Sequence, residues 1–551
     1  MNQKPSTDQL NHDWASALVT RCVAQGVDHF FVAPGSRCTP LTVAISECAE
    51  AKVIQHFDER ALAFACLGFG RGRNSAAAFV CTSGTAVANA LPAVVEASMD
   101  GVPLLLLTAD RPPELRETGA NQSIDQQKIF GEYVRWYFDL PCPTNSIPLR
   151  SLAATVDYAI DRSRSGPVHL NCMYREPFGV GADSSRVIER LSLPNLPAPL
   201  EMRVDLELAG GDTLVIAGRC RESEALAARR VSARLGCPFL GDVTSGLNGL
   251  AFDLQLLRAD HCVPQTVIHF GGRITSKRWW QFIDSNPPQH YVHVSSDGMR
   301  VDPVHRVTQR YTGSIESFCD GIRLENSSGA AFERSWEAHS STALEIADRV
   351  LDENGLSEPY VARQIARQIP PKHALFVGNS MPIRDMDMFG RWDAERALSV
   401  GANRGASGID GIMASAVGFG IGLDNPVTLL LGDLSALHDL NSLAMFAKAA
   451  PPVVVVIINN DGGGIFHFLP VVNETPEFEE FFGTPHGFGF EHAGAMFGIK
   501  YSKAKTCEEF QDQYRIATRG HCSAIIEVMT ERQSNIRLHR TIEKLLRDVV
   551  Q

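Results

Sequence analysis

The 551-residue sequence lacks several features that would place a protein in a class at once. Its thirteen cysteines form no C-x-x-C pair, which argues against a zinc knuckle or a dithiol redox motif. No apolar run approaches the ~20 residues that a membrane span needs. The first stretch, MNQKPSTDQLNHDW, is polar and has no apolar core of a signal peptide. These absences predict a cytoplasmic protein without membrane insertion.

Positive charge is also scarce. The formal net charge of −12 argues against a general binder of nucleic acid or anionic membranes. Hydrophobic residues make up 44% and charged residues 21% of the chain, an ordinary globular composition. If the ligands are anions, local clusters of arginine must therefore bind them against the overall field.

Short apolar strands alternate with helix-period segments along the whole chain, as in VPLLLLTAD and PVTLLLGD. This alternation is typical of parallel sheets wrapped by helices. A proline-rich stretch at residues 191–205 and a weakly patterned stretch near residue 330 read as crossings between domains. We predict an α/β protein with three doubly wound parallel-sheet domains, at residues 1–190, 205–330 and 355–551.

The stretch PPVVVVIINNDGGGIF, residues 451–466, joins an apolar strand to an abrupt polar end. The β-branched run predicts a strand covered on both faces. An earlier apolar strand ends at Asp433, one strand–helix–strand crossover before Asn460. Such a crossover sets the ends of two parallel strands side by side. We therefore expect Asp433 and Asn460 to be neighbours.

These neighbours offer oxygen ligands. The Asp433 carboxylate, the Asn460 amide oxygen and a carbonyl near Gly462 would suit Mg²⁺ or Mn²⁺. Taken singly, Asp433 is as well explained as a helix cap and Asn460 as a turn residue, but their joint spacing favours a metal site. A helix expected to open at Ser435 would direct N–H groups at a phosphate. The three glycines are expected to admit a ligand close to the backbone.

The Asp–Asn pair resembles the metal and diphosphate motif of thiamine diphosphate enzymes, Gly-Asp-Gly followed by Asn-Asn, although Leu434 replaces the second glycine. The resemblance implies a pyruvate oxidase/decarboxylase-like architecture and a glutamate on another domain. Glu59 in VIQHFDERALAF stands where that glutamate is needed. A carboxylic acid there would hold the pyrimidine N1′ of the cofactor and activate it. Ile409 in GASGIDG matches the bulky residue that props the cofactor.

Longer segments resemble one family, the 2-succinyl-5-enolpyruvyl-6-hydroxy-3-cyclohexene-1-carboxylate synthases of menaquinone biosynthesis. They include APGSRCTPL, TADRPPELRETGANQSIDQ, GNSMPIRDMD, NRGASGIDG and GDLSALHDLNSLA. In this family, Gly-Asp-Leu takes the place of the Gly-Asp-Gly motif. The resemblance implies a transferase of the transketolase class. It would decarboxylate 2-oxoglutarate and add the succinyl semialdehyde carbanion to isochorismate in conjugate fashion. A homodimer or homotetramer is also implied, because the cofactor bridges subunits in this class.

Both implied substrates are dicarboxylates, so the site needs several cations that bind carboxylates in a fork. The resemblance assigns substrate contacts to six cations, namely Arg37, Arg111, Lys277, Arg278, Arg384 and Arg404. It assigns further polar contacts to Ser36, Asn121, Gln122 and Ser380, and apolar contacts to Ile465 and Phe466. Gln122 is also the candidate for placing a catalytic water. The apolar wall of Ile465 and Phe466 would lower the local dielectric and favour loss of the carboxylate.

Two other interpretations stay open on the residues alone. An acetohydroxyacid synthase or a simple 2-keto acid decarboxylase has less use for Arg384, Arg404 and Lys277, because pyruvate-type substrates carry one carboxylate. A non-catalytic nucleotide-binding protein is suggested by LVIAGRCRES in the middle segment. That segment lacks G-x-G-x-x-G, so we assign no dinucleotide there, and the presence of Glu59 favours an enzyme.

Overall fold

The structure, a computed structural model, describes residues 5–178, 207–208, 211–257, 263–324, 329–393 and 396–549. Two compact units are present. The first falls within Met1–Pro197, Asn403–Asn425 and His438–Pro452, and the second within Ala198–Ala402, Pro426–Leu437 and Val453–Gln551. The predicted linker at residues 191–205, and residues 325–328 of the second predicted crossing, lie outside the described residues.

The first unit contains a six-stranded sheet in the order β2-β1-β3-β4-β6-β5. Its strands are β1 (His29–Val32), β2 (Lys52–Gln55), β3 (Ala78–Cys81), β4 (Leu104–Asp110), β5 (Trp136–Leu140) and β6 (Pro167–Met173). Its helices include α1 (Thr7–Ala24), α2 (Thr39–Glu47), α3 (Glu59–Arg73), α4 (Thr85–Asn89), α5 (Leu91–Met99) and α6 (Leu149–Ser163). The runs DHFFV, AKVIQ, AAAFVC, VPLLLLTAD and GPVHLNC are predicted as strands and correspond to β1, β2, β3, β4 and β6. The edge strand β5 was not predicted, because it is largely half-exposed.

The second unit contains a five-stranded sheet in the order β12-β11-β10-β8-β9 and a two-stranded sheet of β7 and β13. Its strands are β7 (Glu207–Leu208), β8 (Thr213–Ala217), β9 (Phe239–Gly241), β10 (Thr266–Phe270), β11 (His290–Ser295), β12 (Gln309–Thr312) and β13 (Arg323–Leu324). The helices are α7 (Glu222–Leu235), α8 (Phe252–Gln255), α9 (Lys277–Ser285), α10 (Ile315–Gly321) and α11 (Ala330–Asn354).

A third sheet, also in the second unit, has the order β15-β14-β16-β17-β19-β18. Its strands are β14 (Ala374–Val377), β15 (Val400–Gly401), β16 (Val427–Gly432), β17 (Val453–Asn459), β18 (Lys500–Ala504) and β19 (Ala524–Met529). The remaining helices are α12 (Glu358–Gln368), α13 (Met381–Phe389), α14 (Ile412–Leu423), α15 (Asp433–His438), α16 (Leu443–Phe446), α17 (Glu491–Phe497), α18 (Cys507–Arg519) and α19 (Arg532–Asp548). Of these, α14 and α16 belong to the first unit.

Every strand pair that the described residues form is parallel. Helices connect the strands, so the predicted α/β class with three parallel-sheet domains is confirmed. The predicted domain bounds stay predictions. Among the helices in the described ranges, none combines the length and the apolarity that crossing a membrane requires.

The third sheet confirms what the apolar run predicted about its central strand. Every residue of β17 is buried. It pairs with β16 in parallel, and Gly432 stands opposite Ile458. The two strands therefore end at the same edge of the sheet, as expected. The following helix begins at Asp433 and not at the predicted Ser435, because β16 already ends at Gly432.

The middle of β17 provides a stability prediction. Ile457 is 1% exposed, so Ile457→Ala should leave a cavity and lower the free energy of unfolding by about 2–5 kcal/mol. The same change at Ile516 on α18, which is 69% exposed, should shift it by no more than about 0.5 kcal/mol. Urea unfolding followed by circular dichroism compares the two midpoints. Equal midpoints would contradict the buried position of Ile457.

Candidate active site

The two strand ends meet through the Asp433 carboxylate, which is 2% exposed. Its Oδ2 accepts hydrogen bonds from the backbone N–H groups of Asn460 (3.2 Å) and Gly462 (3.0 Å). Its Oδ1 accepts one from the N–H of Leu434 at 2.6 Å. Asp433, Asn460 and Gly462 are thus in direct contact, as the metal-site hypothesis requires.

The side chain of Asn460 is held in one orientation. Its Nδ2 donates to Oε1 of Glu358, the first residue of α12, at 2.8 Å. Its Oδ1 is buried and has no hydrogen-bond partner among the described residues. A buried amide oxygen without a donor is costly unless a ligand completes it. A divalent cation fits that oxygen and the Asp433 carboxylate.

Acidic groups crowd this edge of the sheet. Burial, followed by the charge of Asp385, raises the pKa of Glu358 to about 8. Burial also raises the pKa of Asp433 above its ordinary value. Asp385 lies on α13, and its Oδ1 is 3.0 Å from Nε2 of His539. Carboxyl groups that water cannot reach favour a bound cation, which would offset the cost of their negative charge. The residues present therefore fit a divalent metal.

The structure explains why positions 462 and 463 need glycine, which the sequence did not indicate. Gly462 has a φ of +133°, and a Cβ there would lie 2.0 Å from the carbonyl oxygen of Gly483. A Cβ on Gly463 would lie 2.3 Å from the carbonyl oxygen of Phe482. The backbone of the segment Glu479–Gly483 packs where side chains would be. At these two positions, the close approach expected of a ligand is made by the protein's own chain.

A histidine that the sequence analysis did not select also reaches Asp433. Nε2 of His486 lies 3.2 Å from Oδ2 of Asp433, and the side chain of His486 is 8% exposed. The N–H groups of His486 and Gly487 donate to Oδ1 of Asp461 at 2.8 and 2.7 Å. A histidine far along the chain carries no signal in the local pattern around Asp433, so only the tertiary fold reveals it.

The predicted apolar wall follows directly on the glycines. Ile465 and Phe466 are half-buried in a 3₁₀ helix, Gly464–Phe468. The ring of Phe466 lies 5.7 Å from that of Phe482. The chain therefore places an apolar surface immediately after the candidate metal ligands.

Four further predicted residues lie in the second unit. Ser380 precedes α13 with a left-handed φ of +70°, and its carbonyl accepts a hydrogen bond from Nη1 of Arg384. Lys277 begins α9 and is exposed. The guanidinium of Arg278 donates to Asp253 and to Glu543. Arg278 is thus already paired with two carboxylates of its own chain.

In the first unit, the predicted residues Arg111, Asn121 and Gln122 come together around Ser83. Two guanidinium N–H groups of Arg111 donate to the Asn121 carbonyl, at 2.8 and 3.2 Å. Nη1 of Arg111 donates to Oγ of Ser83 at 3.3 Å. Nε2 of Gln122 donates to the Ser83 carbonyl, and Ser83 Oγ donates to the Gln122 carbonyl. Ser83 was not predicted, since a serine after a strand is common in turns.

Arg37 lies beyond the end of β1, beside the exposed Ser36. Its guanidinium donates to the carbonyl of Tyr174 (2.9 Å) and to Glu176 (2.7 Å). Burial, followed by the positive charge of Arg111, lowers the pKa of Arg37. Arg37 therefore lies close enough to Arg111 to be affected by its positive charge, which Glu176 and Asp110 offset in part.

Glu59 is the first residue of α3 and is half-buried. The preceding Asp58 caps the helix by accepting from the N–H groups of Arg60 and Ala61. Asn89, another residue that was not predicted, has its Nδ2 3.5 Å from Oε2 of Glu59. Ile409 is 39% exposed, and Arg404 is half-buried in the same loop. Glu59 belongs to the first unit, whereas Asp433 belongs to the second.

Comparison with known proteins adds independent information. Three family models match: the N-terminal TPP binding domain of thiamine pyrophosphate enzymes at residues 12–129, their middle domain at 207–377 and their C-terminal TPP binding domain at 394–528. Similar curated proteins carry the name 2-succinyl-5-enolpyruvyl-6-hydroxy-3-cyclohexene-1-carboxylate synthase. The protein of Rubrobacter xylanophilus is 43% identical, covering 98% of this chain and 99% of the relative. Those of Salinibacter ruber (41% identical; 96% and 95%) and Chlorobaculum tepidum (38%; 99% and 98%) are similarly extensive.

The contact of Glu358 with Asn460 leads to a prediction about metal affinity. Glu358→Leu removes the acceptor that orients the Asn460 amide, so Mg²⁺ should bind about tenfold to hundredfold more weakly. Glu358→Gln keeps an acceptor oxygen at the same place and should bind Mg²⁺ within about threefold of the unmodified protein. Calorimetric titration with Mg²⁺ in the presence of thiamine diphosphate measures both. Unchanged affinity in the leucine variant would show that Glu358 does not hold Asn460.

Proposed function

The chain belongs to the 2-succinyl-5-enolpyruvyl-6-hydroxy-3-cyclohexene-1-carboxylate synthase family of thiamine diphosphate enzymes, and from this premise we propose its reaction. The substrates are 2-oxoglutarate and isochorismate. The enzyme decarboxylates the first and adds the resulting succinyl semialdehyde carbanion to the ring alkene of the second. The products are 2-succinyl-5-enolpyruvyl-6-hydroxy-3-cyclohexene-1-carboxylate and CO2, in menaquinone biosynthesis.

One observation carries the cofactor part of this proposal. The buried Asn460 Oδ1 has no partner among the described residues, and Asn460 contacts the buried Asp433 carboxylate through its backbone N–H. These oxygens, with a carbonyl at Gly462, would bind Mg²⁺ or Mn²⁺, and the metal would hold the diphosphate. Ser435 on α15 would contact the same diphosphate. This donor set supports thiamine diphosphate with a divalent metal as the working cofactor.

We assign the contacts with the other end of the cofactor to Glu59 and Ile409. When bound, thiamine diphosphate supplies a nucleophilic carbon and an electron sink for decarboxylation. Glu59 would donate a hydrogen bond from its carboxylic acid to the pyrimidine N1′ and so hold a proton there. Ile409 would press against the cofactor with an apolar side chain, which its partial exposure permits.

The substrate carboxylates need cations, because the chain as a whole carries a net charge of −12. In the first unit, Arg37 and Arg111 would supply cations for one carboxylate, with Asn121 and Ser36 beside them, and Arg37 would exchange its partner Glu176 for the substrate. Lys277, Arg384 and Arg404 are the further candidates, with Ser380 as a polar orienter. Arg278 would join them only by exchanging one of its two carboxylate partners for a substrate. Arginine is suited to this task because its guanidinium binds a carboxylate in a fork.

The remaining candidates, Gln122, Ile465 and Phe466, would control where water and protons reach the reacting carbon. Gln122 has a left-handed φ of +56° and a side-chain amide bonded to Ser83, so its position is fixed. We assign to it the placement of a water that delivers a proton. Ile465 and Phe466 would exclude other water from the reacting carbon, and a low dielectric there favours loss of the carboxylate as uncharged CO2.

We propose further that the protein is a cytoplasmic homodimer or homotetramer. Glu59 and Asp433 fall in different compact units, which is compatible with a cofactor held between subunits. The cysteines in the described residues are free thiols, the state that a reducing cytosol maintains. Light scattering of the purified protein gives the number of subunits, and a monomer that is active would contradict this assembly.

The decisive experiment follows CO2 from 2-oxoglutarate labelled at its C1 carboxylate, with thiamine diphosphate and Mg²⁺ present. We expect release that depends strongly on isochorismate, together with a succinyl adduct. Release that is indifferent to isochorismate would contradict the proposal and indicate a 2-oxoglutarate decarboxylase. Release from labelled pyruvate at a higher rate would indicate an acetohydroxyacid synthase or a related enzyme.

Glu59→Gln should lower the turnover number by about 10²–10⁴-fold, because an amide cannot exchange a proton with the pyrimidine N1′. The binding of thiamine diphosphate should change far less, since the amide can still form a hydrogen bond. Glu132→Gln, at an exposed acid of the first unit, is the control and should leave turnover unchanged. Steady-state kinetics with both substrates measures the effect. Full turnover by the Glu59 variant would remove the role assigned to this residue.

Asp433→Ala should abolish metal-dependent binding of thiamine diphosphate, because it deletes the charged metal ligand. Asp512→Ala deletes an exposed acid on α18 and should leave the affinity unaltered. Calorimetry with and without Mg²⁺ distinguishes the two variants. If the Asp433 variant bound the cofactor as tightly as the unmodified protein, the metal assignment would be wrong.

A further inference from the structure

The buried carboxylate of Glu96 contacts the loop that contains Arg404 and Ile409. Glu96 on α5 is 3% exposed. Its Oε1 accepts a hydrogen bond from the backbone N–H of Gly405 at 2.7 Å, and its Oε2 accepts one from Ala406 at 2.6 Å. All of these residues lie within the first unit. One side chain thus binds two consecutive amides of a loop that is more than 300 positions away in the sequence.

The geometry specifically requires a carboxylate. Two adjacent N–H donors match a group with two acceptor oxygens and no hydrogen of its own. A glutamine at position 96 would offer one oxygen, and its NH₂ would face an N–H donor at the other position. The backbone also comes very close here, because a Cβ on Gly405 would lie 2.4 Å from the carbonyl oxygen of Glu96. The loop can reach the carboxylate only with glycine at position 405.

A cation balances the buried charge. Nη2 of Arg71 on α3 lies 3.3 Å from Oε1 of Glu96, and its Nη1 lies 2.5 Å from Oδ2 of Asp100. Glu96 and Asp100 therefore share one arginine. Glu224 on α7 is another buried glutamate paired with an arginine, Arg221 at 2.7 Å, and α7 carries no candidate site residue, so Glu224 is the matched control.

A separate set of hydrogen bonds holds the start of the loop. Nδ2 of Asn403 donates to Oγ of Ser415 at 2.9 Å, and that hydroxyl donates to the carbonyl of Phe64 on α3 at 3.2 Å. Glu96 holds the residues that follow. Ser407, with a φ of +61°, and Ile409 come after the two clamped amides and are exposed. The backbone on both sides of Arg404 is consequently fixed by contacts with α3, α5 and α14.

We infer that Glu96 is a positioning residue, whose carboxylate clamps Gly405 and Ala406 and thereby sets where Arg404 meets substrate and where Ile409 meets thiamine diphosphate. Both halves of this inference rest on the proposed function, the substrate half through Arg404 and the cofactor half through Ile409. A loop displaced by about 1 Å can cost as much as a hundredfold in activity, which is why a buried clamp matters.

Glu96→Gln and Glu224→Gln test the clamp, because each replaces one buried glutamate that is paired with an arginine. We expect Glu96→Gln to weaken thiamine diphosphate binding about tenfold and to raise the KM of at least one of the two substrates about tenfold. Glu224→Gln should leave the cofactor affinity and both KM values within about twofold. Calorimetry and steady-state kinetics on the holoenzyme give these values, and the melting temperature of each variant reports any general loss of stability.

The outcomes separate this inference from the proposed function. Equal losses in both variants, in step with their melting temperatures, would overturn the clamp and leave Glu96 a structural residue. Unchanged cofactor affinity and KM in Glu96→Gln would also overturn it. If the unmodified enzyme did not consume isochorismate, the proposed function would fail, whereas tenfold weaker cofactor binding in Glu96→Gln would still support the clamp.

A measurement on the unmodified protein covers the case in which Glu96→Gln does not fold. Hydrogen exchange of the peptide spanning residues 403–411 is followed by mass spectrometry without cofactor. Slow exchange at Gly405 and Ala406, unaltered when thiamine diphosphate and Mg²⁺ are added, would support a clamp that is formed in advance. Exchange that is fast without cofactor and slows only on its addition would overturn the inference, since the cofactor would then order the loop.

Discussion

The parallel hydrogen bonding of β16 with β17 is the constraint on which the candidate metal site depends. It aligns Gly432 with Ile458, so the residues that follow each strand emerge at one edge of the sheet. Asp433 can then accept the N–H groups of Asn460 and Gly462. A slip of this register would separate the carboxylate from the amide oxygen that we propose to bind the same ion. Burial of β17 on both faces opposes such a slip, because a shifted strand would draw the polar Asn460 in among apolar side chains.

The same burial explains the chemistry of the site. Glu358, Asp385 and Asp433 are withdrawn from water, and burial raises the pKa of each. An acidic cluster of this kind is stable only with protons, nearby histidines or a cation. In the first unit, Arg37 and Arg111 are the cations that we propose to bind a substrate carboxylate.

The sequence revealed those parts of the fold and site that follow from local pattern. The strands with unbroken apolar runs, such as β4 and β17, were predicted, and so was the approach of Asn460 to Asp433. The edge strands β5 and β18 were not, because their half-exposed residues carry no clear period. Glu358 and Ser83 escaped notice for another reason. An acid that starts a helix and a serine that ends a strand are common choices, and only long-range contact makes them partners of Asn460 and Arg111.

By itself, the sequence determined the α/β class, the family and the chemical types at the strand ends, because these depend on hydrophobic period and on motifs of neighbouring residues. Tertiary structure alone decided which side chains meet. It gave Asn460 an acceptor on α12, gave Gly462 and Gly463 the backbone of residues 482–483 as close neighbours, and set Glu96 against the amides of Gly405 and Ala406. These contacts join segments far apart in the chain. Their geometry arises from how strands and helices pack, which no local pattern records.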